Sequence, residues 1–94
     1  ESYQRELETL REKIDVSDQA ILDALGKRMK VAESIGQLKK DNNVAVLQNK
    51  RWNEILETMQ AEGVERNLSE EFITQIFKAI HQESINHQEK VING

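Results

Sequence analysis

The sequence predicts an all-α domain of three helices, one of them very long, that pairs with a second copy into an intertwined antiparallel homodimer. Three observations predict it. The 94 residues include no Pro, four Gly and few aromatics, a balance that favours helix over strand. Apolar residues recur at steps of three and four from the start of the chain to about Lys40. The helix this implies is too long for any globule a chain of this length could form.

The first helix is expected from about Ser2 to Lys40, with Gly26 and Gly36 its only glycines. One row reads Leu7, Arg11, Ile14, Asp18, Ile21, Leu25, Arg28, Ala32, Ile35, Lys39, a heptad-like seam. Asp41-Asn42-Asn43 breaks it with turn-forming residues. A second helix is expected from near Leu47 or Gln48 to Gly63, read as a C-terminal cap. Ser69 suits the N-cap of a third helix, with Glu70 and Glu71 in its first turn and an end near Val91. Residues 1–94 are read as a single domain.

Length then demands a partner. A helix from Ser2 to Lys40 spans about 58 Å at a rise of about 1.5 Å per residue. A compact domain of this size has a radius of gyration near about 13 Å, so the apolar seam would overshoot it into water. A two-fold dimer in which long helices cover one another removes the problem.

Composition narrows function. Without Cys there are no disulfides or thiolate metal sites, and a cytoplasmic location is expected. No apolar run approaches a membrane span, and no signal peptide opens the chain. The first residue is Glu1 rather than Met, as in a module taken from a longer protein. A net charge of −4 argues against nucleic acid as a partner. His81 and His87 are six apart and do not share a face as metal ligands would, so both are expected on the helix surface, with no metal site.

The informative feature is polarity inside the apolar rows. Arg11, Asp18, Arg28 and Lys39 occupy seam positions. On the third helix the row Ile73, Phe77, Ile80 runs on into Ser84, Gln88 and Val91. Arg51 lies one turn before Ile55 on the second. Burying an unpaired charge costs several kcal/mol, and Asp18, expected to pair near the dimer axis, cannot answer four cations. A dianionic ligand could. Arg28 and Lys39 are about three turns apart on one face, about 16 Å along the axis, and their long side chains can converge. Arg11 lies about 25 Å from Arg28 and is too far to join from the same helix. In an antiparallel pair crossing near Gln19 and Ala20, Arg11 of one subunit would complete the site of the other.

These residues resemble the all-helical class of chorismate mutase over nearly the whole chain. Leu10-Arg11-Glu12-Lys13-Ile14-Asp15, with Asp18 after it, is similar to the family's first-helix signature. Arg28, Lys39, Arg51, Ser84 and Gln88 follow at the family's spacing. The resemblance implies an isomerase of aromatic amino-acid biosynthesis, in the shikimate pathway, that converts the dianion chorismate to prephenate without cofactor or metal. Its task would be to hold the reactive conformer and to stabilise charge growing on the ether oxygen. Arg28 and the other subunit's Arg11 would grip carboxylates, Ser84 would donate to one, and Arg51 would add positive charge. Lys39 and Gln88 would flank the ether oxygen. Because glutamine donates at any pH, activity should not require acid.

The departure from the family is Trp52, where an acidic residue often accepts a bond from the substrate hydroxyl. Indole only donates. Gln48 also replaces an often acidic residue, and it or nearby backbone carbonyls would have to substitute. Alternatively, Trp52 packs against Ile55 and Leu56. The Arg51-Trp52 pair resembles the module fused to a 3-deoxy-7-phosphoheptulonate synthase, which makes that enzyme a candidate partner. Two other functions stay open: isochorismate pyruvate-lyase of the same fold, and a non-catalytic dimerisation module whose seam cations pair with Asp and Glu.

Overall fold

The computed structural model describes residues 2–94. They form α1 (Ser2–Asn42), α2 (Asn49–Glu65) and α3 (Glu70–Asn93), with no strand among the described residues. Among them no helix is long and apolar enough to cross a membrane.

Local chemistry sets the helix ends. α1 runs two residues beyond Lys40 because Asp41 and Asn42 still fit its last turn. Asn43 is the residue that turns left-handed, at φ 59°. Its N–H donates to the Lys40 carbonyl at 3.3 Å, and that of Val44 to the Lys39 carbonyl at 2.9 Å. This is a Schellman ending with Asn in place of Gly.

α2 ends the same way, and here the expected cap at Gly63 is corrected. The helix continues to Glu65, and Asn67 takes the left-handed position at φ 61°. Asn67 N–H bonds to the Val64 carbonyl at 3.0 Å and Leu68 N–H to the Gly63 carbonyl at 2.9 Å. Gly63 is needed for packing instead: it is buried, and a Cβ there would lie 2.5 Å from Ile73 Cγ1. α3 starts as expected, with Ser69 Oγ accepting from Phe72 N–H at 3.2 Å, and extends to Asn93.

α3 is the central element and packs on both α1 and α2. Gly36 faces Gln88 and Glu33 faces His87, while Arg28 faces Ser84, so α1 and α3 run in the same direction. Gln60 bonds Thr74 and Trp52 stacks on His81, so α2 runs opposite to α3. The closest approach is at Gly36, where a Cβ would meet Gln88 Cα at 2.9 Å. Only a residue without a side chain lets the two backbones come this near.

The core within one chain is thin. Met29, Ala32 and Ile73 are its buried apolar residues, and no large side chain among the described residues is fully buried. Within one chain the line of α1 that meets α3 runs through Leu25, Met29, Ala32, Gly36 and Lys39, while Ile14 and Ile21 of the predicted row stay 60% and 52% exposed. The molecule measures 62 × 28 × 14 Å, so α1 projects well past the part that packs.

His87, on the surface of α3, is held in a pair of hydrogen bonds. Its Nδ1 lies 2.7 Å from Glu33 Oε2 on α1 and its Nε2 lies 3.0 Å from Glu83 Oε2. Hydrogen bonds first to Glu33 and then to Glu83 raise the imidazole above its ordinary value. A raised value means the charged form is favoured on folding. The stabilisation is therefore full below the unfolded value of 6.5 and is lost as pH rises through the folded one. We expect the Tm difference between the parent chain and His87→Gln to be larger near about pH 5.5 than near about pH 9. A difference that grows toward alkaline pH would contradict the assignment.

Candidate active site

A pocket of about 480 Å³ opens between the C-terminal half of α1, the start of α2 and the last turns of α3. Its wall is apolar where Ala32, Ile35, Ile55 and Ile85 line it. Its polar groups are Arg28 and Lys39 from α1, Gln48 and Arg51 at the start of α2, and Ser84 and Gln88 from α3. No Asp or Glu of the described residues lines it.

The sequence places these groups by simple periodicity. Ser84 and Gln88 are one turn apart on α3, and both are buried. Arg28 and Lys39 reach them from α1. Arg28 Nη1 donates to Ser84 Oγ. Lys39 Nζ donates to Gln88 Oε1 at 2.9 Å and to the Val46 carbonyl at 2.7 Å. The second bond draws the α1–α2 connection over the pocket. Gln48 is the N-cap of α2, but its side chain makes no capping bond and stands at the pocket mouth.

The electrostatics are those of a site short of negative charge. Burial, and then the nearby Arg51, push Arg28 below its ordinary value. Burial pushes the Lys39 ammonium down. Their partners in the chain are neutral: a hydroxyl, an amide oxygen and a backbone carbonyl. The ion pairs among the described residues lie elsewhere, at Arg66–Glu62 and at His87 with Glu33 and Glu83.

Thus six of the residues singled out from sequence line one pocket, and a seventh does not. Arg11 is exposed on the projecting half of α1, about 25 Å along the helix from Arg28. Asp18 is likewise exposed. Two pocket residues were read as something else. His81, expected on the surface, lines the pocket. Trp52 lines it too and, rather than only packing on Ile55 and Leu56, stacks on His81 with ring centroids 4.2 Å apart and planes 15° from parallel. The signal for His81 was present: His81, Ser84 and Gln88 stand at i, i+3 and i+7, one helix face.

Fixed donors around a concave, partly apolar space suit a small polyanion with an apolar body. Among the described residues no group of three His, Cys, Asp or Glu is placed to hold a metal.

Comparison with known proteins agrees with this chemistry. Residues 10–89 match the family described as chorismate mutase type II. The chain is 33% identical over 82 residues to the bifunctional chorismate mutase/prephenate dehydratase of Buchnera aphidicola subsp. Acyrthosiphon pisum (strain APS), covering 87% of this chain and 21% of that protein. It is 32% identical over 88 residues to the bifunctional chorismate mutase/prephenate dehydratase of Buchnera aphidicola subsp. Schizaphis graminum (strain Sg), covering 94% of this chain and 23% of that one. The chain thus spans about a fifth of the length of these relatives, and both are named for a dehydratase rather than for the synthase that Arg51-Trp52 suggested. With the family match extending over most of its length, from the first-helix signature to Gln88, the chain belongs to the chorismate mutase type II family.

Proposed function

We propose that the chain converts chorismate to prephenate, and that the Arg28–Lys39–Gln88 pocket is where it does so. The observation that carries this reading is the charge imbalance. Among the described residues three cations and no carboxylate line the pocket, and the two cations from α1 bond to neutral groups of the chain. A dianion supplies what is missing. A dimerisation module would have paired its seam cations with Asp and Glu.

The rearrangement breaks a C–O bond and forms a C–C bond within one molecule, so no group of the protein needs to become covalently attached. The gain comes from holding the folded conformer and from meeting negative charge as it develops on the ether oxygen. Arg28 would bind a carboxylate, its fork already held by Ser84. Arg51 adds positive charge across the pocket. Lys39 and Gln88 would face the ether oxygen. The ammonium of Lys39 obliges Gln88 to turn its oxygen toward it, which leaves the amide hydrogens to donate to the substrate. That donor carries no titratable proton, so kcat should not fall steeply between about pH 6 and about pH 8.

The site is completed by a second chain. The exposed Ile14 and Ile21 and the projecting half of α1 favour an antiparallel homodimer crossing near Gln19 and Ala20. In that pairing Arg11 of each subunit lies beside Arg28 of the other and would bind the second carboxylate. As for a fused neighbour, the relatives' names favour a prephenate dehydratase over a synthase.

A chorismate-consumption assay with product identification tests the reading: prephenate is expected. Salicylate and pyruvate from isochorismate instead would make the chain a lyase. Lys39→Ala should lower kcat by about 10²- to 10³-fold while the fold persists, as loss of one charge-stabilising donor does. Near-parent kcat in a folded Lys39→Ala chain would remove Lys39 from the chemistry. For the dimer, a purified heterodimer of Arg11→Ala and Arg28→Ala chains should recover about half the parent rate, since one of its two sites is intact. A rate no better than that of either single-variant homodimer would place each site within one chain.

A further inference from the structure

The pocket is rich in donors and poor in acceptors. Arg28, Lys39 and Arg51 can only donate. Ser84, Gln88 and Val46 each already accept one bond, from Arg28 or Lys39. Chorismate brings a ring hydroxyl whose hydrogen needs an acceptor, and Trp52 offers none. His81 can be one. It is half-buried on the pocket face of α3, and its ring lies flat against Trp52. The stack fixes the plane of the imidazole, and the residue lines the pocket beside Ser84 and Gln88.

The surroundings keep a ring nitrogen free. Burial, and then the charge of Arg28, push His81 below its ordinary value of 6.5, so the ring is neutral at pH 7 and retains one lone pair. The charged groups that share its pocket are all cations: Arg28 and Lys39 from α1 and Arg51 from α2. From α3 itself the pocket receives only the uncharged Ser84, Ile85 and Gln88. Gln48 is the other side-chain acceptor, but it is exposed at the mouth.

We propose that His81, held in plane by Trp52, accepts the hydrogen bond of the substrate's ring hydroxyl and selects for substrates that carry it. His81 is then a substrate-binding residue and Trp52 a positioning residue. This rests on the chorismate reading above.

The test compares chorismate with an analogue bearing hydrogen in place of the ring hydroxyl, on the chain as it stands. The parent should prefer chorismate in kcat/KM by about tenfold or more, the order of one hydrogen bond left unmade in a buried site. His81→Phe keeps a ring to stack but has no acceptor. It should lose that preference by falling on chorismate alone, and His81→Gln should restore part of it. In the parent, kcat/KM for chorismate should fall on the acid side, below about pH 6.5, as His81 gains a proton and loses its lone pair. The analogue should show no such limb, a comparison that holds even if a variant fails to fold. A preference retained in active His81→Phe, an equal loss on both substrates, or identical acid limbs would overturn the assignment. Loss of preference in Gln48→Leu alone would move the role to Gln48. A parent chain that does not turn over chorismate would overturn the mutase reading, and this one with it.

Discussion

The contact at Gly36 is the constraint on which the site depends. Backbone meets backbone there, α1 against Gln88 of α3, and the register of the two helices follows. Arg28 and Lys39 stand about 16 Å apart on α1, whereas Ser84 and Gln88 are about 6 Å apart on α3. Two long side chains can close that difference only if the helices lie close and in this register. Gly36 supplies the closeness, Ala32 a turn earlier keeps the wall thin, and Lys39 a turn later reaches both Gln88 and the Val46 carbonyl. A larger residue at position 36 would open the space in which the cations converge.

From that contact comes the site's electrostatic character. Concentrating Arg28, Lys39 and Arg51 around one pocket raises its free energy when it is empty, and neutral partners relieve only part of it. Among the described residues no acidic one lines the pocket, and acidic side chains act elsewhere: Glu33 and Glu83 clamp His87 on another part of the α1–α3 contact. The two histidines of α3 therefore sit in opposite fields. His87 is held between carboxylates and favours its charged form, whereas His81 is half-buried beside cations and favours its neutral one. Six residues of separation carry them to different faces of one helix.

Much of this was legible in the sequence because helices obey a short-range rule. Periodicity located three helices with no reference to a partner, Ser69 announced the start of the third, and spacing put Arg28 with Lys39 and Ser84 with Gln88 on shared faces. Gly63 misled for a specific reason: in sequence a glycine after an apolar run looks the same whether it turns the chain or makes room for Ile73. Asn67 did the turning. His81 stands at i, i+3 and i+7 with Ser84 and Gln88, a relation that its six-residue spacing from His87 does not reveal. The seam row mixed two lines of α1, since Ala32 and Lys39 meet α3 whereas Ile14 and Ile21 stay exposed in one chain.

By itself the sequence determined the helices, their approximate ends and the set of polar residues that interrupt their apolar faces, because each of these depends on neighbours within a turn or two. Arg28 and Lys39 as a shared, cationic face of α1 belong to that set. Only the tertiary structure decided that their partners are neutral, that no carboxylate of the described residues enters their pocket and that Trp52 lies flat on His81. Those facts join residues from separate helices. They follow from the depth at which α1 and α3 meet, which no local spacing encodes.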